Sequence, residues 1–402
     1  MDRYHVVVIG GGPIGAAAAR EAARSGARTL LVERRKRMEG PVPCTGLVSP
    51  RTLPTLGGSS KSIIREIRAV TAHAPDGSRL HLRSDETKGL VIDRPSLEME
   101  LLEAARSAGA EILLGTKADV KREGEITLVS ESGEERLEAD VIIGADGPKS
   151  RIASEFGLAC DQPPLPAAQT VIEAEPEEED RVEVYFGRTV APGFFGWAVP
   201  AERNRVRVGV AITAGIDPKP FLDRLLAVHF PTSRVVSRAF GLIPSRPVDR
   251  SIADRVILVG DAAGQVKPLS GGGLYTGGIC ARIAGRIAAK AALSGRSDRE
   301  SLIEYETEWQ GAIGSEIRFG LAAREALLPL DDRGINALFS SIDDPELLRF
   351  IAESGDIDRP SLLIPALIRR PHLWELVLQI ARIMEEYKES VRPLGQGLNA
   401  DL

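Results

Sequence analysis

The chain has 402 residues, 43% apolar and 27% charged, enough to fill packed cores in two or three domains and too apolar a mixture to stay disordered. Its 51 Lys and Arg against 57 Asp and Glu leave a net charge of −6, and 4% of residues are aromatic. Both the basic surface and the stacking platforms that nucleic-acid binding requires are therefore excluded. Cys44, Cys160 and Cys280 form no CxxC pair, which rules out a cysteine-held cluster or zinc ribbon and leaves no metal site to expect.

The chain opens on a buried-strand pattern, His5–Ile9, followed at once by Gly10-Gly11-Gly12-Pro13-Ile14-Gly15. An alanine-rich helix is predicted from Ala16 to about Arg24, stopped by Ser25-Gly26, and a second strand runs over Thr29–Val32 and closes on Glu33. Residues 34–65 are rich in Gly, Pro and Ser and read as an extended loop. Alternation around Pro75-Asp76-Gly77 predicts a hairpin in 66–83. A helix follows from Ser96 to Ser107, then a strand at Glu111–Leu114, two hairpin strands near 118–138 and a buried run at Asp140–Gly144.

From 167 to 243 the pattern becomes one of alternating strands: Gln169–Ala174, Arg181–Phe186, Phe194–Val199, Arg205–Ile212 and Val236–Leu242, with one helix near Pro220–His229. A buried strand returns at Arg255–Gly260, Leu274–Leu293 reads as a long small-residue helix, and the chain beyond 298 is mainly helical with proline breaks. No apolar run approaches the roughly 20 residues that span a bilayer, and Met1-Asp2-Arg3-Tyr4 runs straight into the first strand. The expectation is a cytoplasmic protein without a targeting leader.

The chemistry starts at Gly10-x-Gly12-x-x-Gly15. It leaves a strand, opens a helix and is followed by an acidic residue, Glu33, at the end of the next strand. Gly10 permits the tight turn, Gly12 the close approach of backbone to a pyrophosphate and Gly15 the packing of helix on sheet, while Glu33 is suited to ribose hydroxyls. That fingerprint serves both NAD and FAD. Two distant segments discriminate: Gly144-Ala145-Asp146-Gly147-Pro148, and Gly260-Asp261-Ala262-Ala263-Gly264 followed by Gly271-Gly272-Gly273-Leu274.

Together the three segments resemble the fingerprints of FAD-dependent enzymes with the para-hydroxybenzoate hydroxylase fold. The resemblance implies that Asp261 binds the ribityl chain, that Gly271, Gly272, Gly273 and Leu274 pass along the isoalloxazine and pyrophosphate, and that Arg94 lies near the phosphates, with Asp146 and Gly147 in the second motif. The implied fold class is α/β. A Rossmann-type FAD-binding domain (1–65, 91–165 and 250–297) carries an inserted β-sheet substrate domain (66–90 and 166–249) and a helical C-terminal region (298–402).

Two further segments narrow the family. Pro192 to Pro200 carries Phe195, Trp197, Val199 and Pro200 at the positions of the Tyr/Phe-x-Trp-x-Phe-Pro pattern of the geranylgeranyl reductase family, and Cys44-Thr45-Gly46-Leu47-Val48-Ser49 resembles that family's cysteine loop beside the flavin. The resemblance implies reduction of isoprenoid double bonds on a prenylated lipid, with Cys44 catalytic, Cys44 and Thr45 beside the cofactor, and Phe195 and Trp197 lining the substrate pocket. Core packing would equally explain that aromatic pair, and a buried inert thiol would explain Cys44.

A single dinucleotide fingerprint leaves the electrons to an external donor: a ferredoxin, a deazaflavin or NAD(P)H. A substrate that lives in a bilayer implies peripheral membrane contact, for which Pro371–Tyr387 is amphipathic enough, and arginines such as Arg51 or Arg369-Arg370 are candidates for the lipid's polar head. The competing readings are a flavin monooxygenase of the same fold and a non-catalytic prenyl-lipid-binding flavoprotein.

Overall fold

The computed structural model describes residues 2–40, 42–121 and 124–390; Pro41 and the end of the helical region, 391–402, lie outside the described residues. Its larger sheet is built around strands that are apolar on both faces. Asp2–Ile9 pairs in parallel with Thr29–Glu33 on one side and with Gly133–Gly144 on the other. Glu111–Leu114 and Val256–Leu258 extend it in parallel at the two flanks. Val6, Val7, Val8, Ile142 and Ile143 are fully buried, as expected where helices cover one face and further chain the other.

Gly133–Gly144 is one continuous strand. Its first half closes the hairpin with Glu125–Ser130 and its second half is the buried parallel strand, so the two segments expected separately in the sequence are the same element. Because the central strands are parallel, Ile9, Glu33, Gly144 and Leu258 all end at one edge of the sheet, and the loops that follow them converge there.

The helix Pro13–Arg24 lies against this sheet with Leu274–Leu293 packed on it. Both faces are made of alanine and glycine, and a Cβ at Gly285 would overlap the Ala18 carbonyl oxygen. Small residues therefore set the close approach of the two helices that open at the loop edge.

A second, seven-stranded sheet runs in the order Arg234–Ile243, Leu165–Glu173, Arg205–Ala211, Gly196–Pro200, Arg181–Tyr185, Ala69–His73 and Arg79–Arg83. Alternation divides its faces. Ala168, Ile172, Ala198, Val208 and Val210 pack under the helix Lys219–His229, chiefly on Leu222 and Leu225. Gln169, Trp197, Val199, Arg207 and Gly209 belong to the opposite face. The strand expected from Phe194 begins at Gly196, so Phe195 lies in the preceding turn.

The stretch 34–65, expected as loop, contains Leu47–Val48, the short helix Thr52–Leu56 and Ile63–Ile67; the two strands flank Gly89–Ile92 in a three-stranded sheet. Beyond residue 298 the chain is helical, as expected. Arg299–Trp309 and Ser315–Leu327 continue through a π-helical turn at Gln310–Gly314, and Pro345–Ser354 and Trp374–Ser390 complete the outer layer.

Candidate functional site

At the converging edge, Gly10 takes φ +111°, a conformation open to glycine, and its amide N–H donates to the Val32 carbonyl at 2.9 Å. Gly15 abuts the Gly10 carbonyl oxygen so closely that a Cβ there would overlap it. Gly12 caps the helix Pro13–Arg24, and a Cβ built on it meets nothing within 4 Å. The first and third glycines thus serve contact within the protein, while the middle one faces open space at a helix N-terminus, where free N–H groups and the helix dipole attract anions.

Glu33 is 5% exposed; its carboxylate accepts from the Gly11 N–H at 2.7 Å and from the Arg35 N–H at 2.8 Å. From Arg35 an ion-pair chain runs through Glu98 (3.0 Å) to Arg94 (2.8 Å), and Arg94 faces the Cys44 thiol. Arg94, the first residue of the helix Arg94–Ser107, has 11% of its side chain exposed, and its Nε–H is buried without a partner. Gly260 (φ +66°) packs on Ile14, and Asp261 follows it in the turn Gly260–Ala263. Burial pushes the Asp261 carboxyl up to about 6 against the downward pull of the Arg94 charge. Gly271 (φ +70°), Gly272 and Gly273 lead into Leu274, the first residue of the long helix.

The second motif lies where the strand Gly133–Gly144 passes into a short helix. The Asp146 carboxylate accepts from the Ser150 hydroxyl at 2.6 Å and from the Arg151 N–H at 2.7 Å, beside the short helix Arg151–Glu155 that Ser150 caps. Gly147 (φ +87°) makes the accompanying turn, with open space around its Cα.

Between these loops and the second sheet lies a cavity of about 500 Å³, within the range of small-molecule sites. It is lined by Cys44, Thr45, Phe195, Trp197, Gly271 and Gly272, so the cysteine loop, the aromatic pair and the glycine-rich turn share one chamber. Phe195 and Trp197 meet edge to face with centroids 6.1 Å apart, and Phe194 stacks on Phe195 at 4.4 Å. The Gly46 N–H donates to the Cys44 sulfur at 3.4 Å.

Sequence reasoning missed one wall. Ile351, Asp356, Ile357, Pro360 and Leu363, from the C-terminal helical region, close the chamber. Asp358, fully buried, pairs with Lys267 at 2.8 Å, and Asp356 pairs with Arg51. Lys267 sits just ahead of the glycine-rich turn, a position that the motif itself could have flagged; nothing in the sequence around Asp356 and Asp358 marks them. Of the arginines considered for a lipid head, Arg51 pairs with Asp356 and Arg370 with Asp344 at 2.7 Å.

These donors suit FAD on the structure's own terms. An open helix N-terminus at Gly12, an orphaned buried N–H on Arg94 and a half-buried carboxylate on Asp261, which makes no side-chain hydrogen bond among the described residues, are what a group with phosphates and hydroxyls would satisfy.

Comparison with known proteins gives the same cofactor. The FAD binding domain family matches residues 3–313. The chain is 33% identical over 362 residues to digeranylgeranylglycerophospholipid reductase 2 of Methanothermobacter thermautotrophicus, covering 86% of this chain and 93% of that protein. It is also 33% identical over 403 residues to digeranylgeranylglycerophospholipid reductase of Methanothrix thermoacetophila, covering 93% of this chain and 98% of that one. A crystal structure of a geranylgeranyl bacteriochlorophyll reductase-like protein from Thermoplasma acidophilum shares the fold, with a TM-score of 0.85 at 23% identity over 95% of this chain and 100% of its own. With the family match over most of its length and these two relatives, the chain belongs to the FAD-binding family of the digeranylgeranylglycerophospholipid reductases.

Proposed function

We propose that this protein is an FAD-dependent reductase that saturates the double bonds of geranylgeranyl chains carried by a glycerophospholipid. The observation that carries the reading is the chamber itself. It is walled by Phe195, Trp197, Val199, Ile357 and Leu363, and it abuts both the Cys44 loop and Gly271-Gly272. An isoprenoid chain gains about 0.8 kcal/mol for each methylene taken from water into such a site, and an unactivated alkene needs close positioning and dryness more than it needs charge.

In this reading residues 1–65, 91–165 and 250–297 hold the cofactor, with Gly12 and Arg94 toward its phosphates and Glu33 and Asp261 toward its hydroxyls. Gly271, Gly272, Gly273 and Leu274 flank its ring system. When bound and reduced, FAD supplies the hydride for one alkene carbon. Cys44 holds, at its sulfur, the proton for the other. Phe195 and Trp197 press the chain flat, and the segment Gly355–Leu363 keeps water out.

An external donor (a ferredoxin, a deazaflavin or NAD(P)H) must return the electrons. No helix among the described residues is long and apolar enough to cross a membrane. Contact with the bilayer in this reading is peripheral, through Ile368, Trp374 and Leu378, which stay half or more exposed while Ile380 and Ile383 of the same region pack on the helix Ser315–Leu327.

The test is anaerobic. The holoprotein is reduced with dithionite and mixed with a geranylgeranylated glycerophospholipid, and flavin reoxidation is followed together with product mass. Reoxidation with mass gains in steps of two hydrogens is expected. Reduced flavin that persists until oxygen is admitted refutes the reductase and favours an oxygenase.

A further inference from the structure

Gln169 is buried (7% exposed) on the cavity face of the second sheet, and register explains what it does there. Gln169, Gly209 and Trp197 lie abreast on three adjacent strands. Gly209 has no side chain, and the Trp197 indole occupies the space that a Cβ would take. The indole thereby reaches across to Gln169, and its Nε1–H donates to the amide oxygen at 3.2 Å. With that oxygen engaged, the amide nitrogen must point the other way, and it donates to the Cys44 carbonyl at 3.2 Å.

Two residues along the same strand from Gly209, and on the same face, Arg207 (8% exposed) donates from Nη1 to the carbonyls of Thr45 (2.7 Å) and Ile92 (3.0 Å). Gly46, at φ +74°, leaves room for that guanidinium and turns its own N–H onto the Cys44 sulfur at 3.4 Å. Successive carbonyls of the cysteine loop are thus held by side chains from two strands of the other sheet, more than a hundred residues away in sequence.

We infer that Gln169 is a positioning residue for Cys44, with Arg207 as its neighbour in the same clamp, and that it links the aromatic wall at Trp197 to the thiol. The inference rests on the role proposed for Cys44, but only in what the positioning is for. Trp197 fixes the orientation of the amide, the amide fixes the Cys44 carbonyl, and the loop so held presents the sulfur to the chamber. Contact of a bound chain with the indole is then felt at the thiol without touching it.

The measurement is the rate at which iodoacetamide modifies Cys44 in the FAD-loaded protein, read on the Cys44 peptide by mass spectrometry. Gln169→Met keeps the length of the side chain and removes both hydrogen bonds. Loss of bonds of this kind is expected to raise the modification rate about tenfold. Turnover should fall by about the same factor at a nearly unchanged KM, because the chamber wall is retained. Trp197→Phe keeps an aromatic wall and removes the donor to Gln169 alone, and is expected to raise the rate by about threefold; it decides the matter if Gln169→Met fails to retain FAD. Wild-type modification rates in whichever variants retain FAD overturn the inference. Cys44→Ala with full turnover would instead remove the chemistry assigned to the thiol and leave the contrast in modification rates standing, so the two failures are distinguishable.

Discussion

Asp261 offers a pH test of the cofactor site that needs no substrate. Burial lifts its carboxyl from 3.8 to about 6, with the Arg94 charge pulling the other way. The folded apoprotein therefore holds this proton more tightly than the unfolded chain does. Stability from this group is present in full below the unfolded value of 3.8 and is lost as pH rises through about 6. A difference of about two units corresponds to roughly 3 kcal/mol at most. Asp261→Asn, neutral and of the same shape, removes the dependence. The deflavinated variant should be more stable than deflavinated wild type by up to ~3 kcal/mol at pH 7.5, by about a third of that at pH 4.5 and by little at pH 3.

Urea unfolding of both proteins across that range gives the difference directly, and other carboxylates cancel in it. Hydrogen bonds donated to the carboxylate favour its charged form, so FAD binding releases the proton, and wild-type affinity should climb from pH 5 to about 6.5 and then level. A stability difference between variant and wild type that is the same at every pH refutes the argument, because the carboxyl would then titrate alike folded and unfolded.

Two further outcomes follow from the cavity. Cys44→Ala should lower the rate of lipid reduction by roughly a hundredfold, the usual worth of a placed proton donor, while tight binding of lipid and the flavin spectrum are kept; single-turnover reoxidation checks it, and an unchanged rate removes the thiol from the reaction. Lys267→Met leaves Asp358 charged, fully buried and without its partner, which should cost about 3–5 kcal/mol. The double change Lys267→Met with Asp358→Leu should recover most of that, and thermal unfolding of the two variants checks the order.

The parts of the fold legible in the sequence are those whose causes are local. The helix Leu274–Leu293 has the bounds that its composition predicts, and the hairpin Ala69–His73 with Arg79–Arg83 sits on either side of its Pro-Asp-Gly turn. The strand–glycine–helix unit at the start is written in residues whose backbone demands are met within the same stretch. What could not be read is held by partners far off in the chain. Arg51 looks like any surface arginine until the fold sets it against Asp356, 305 residues later. Gln169 is a polar residue in an alternating strand, and its meaning depends on the register that puts Gly209 and Trp197 beside it. Ser150 is of the local kind again: its hydroxyl oxygen caps the helix Arg151–Glu155 by accepting from the Ala153 N–H, and it donates to Asp146 four residues before it.

The two sheets divide the work according to how their strands are paired. Parallel strands bring every loop of one polarity to one edge, which suits a long polar cofactor that needs N–H groups, a cation and carboxylates along its length. Antiparallel strands present alternate side chains to one face, which suits a chamber needing shape and dryness, with polar groups only where they hold something. Gln169 and Arg207 are polar groups of that kind on the chamber face, and both are turned onto the loop that bears Cys44. The cysteine loop therefore leads by sequence into the three-stranded sheet, through Leu47–Val48, and is held to the seven-stranded sheet by side-chain hydrogen bonds.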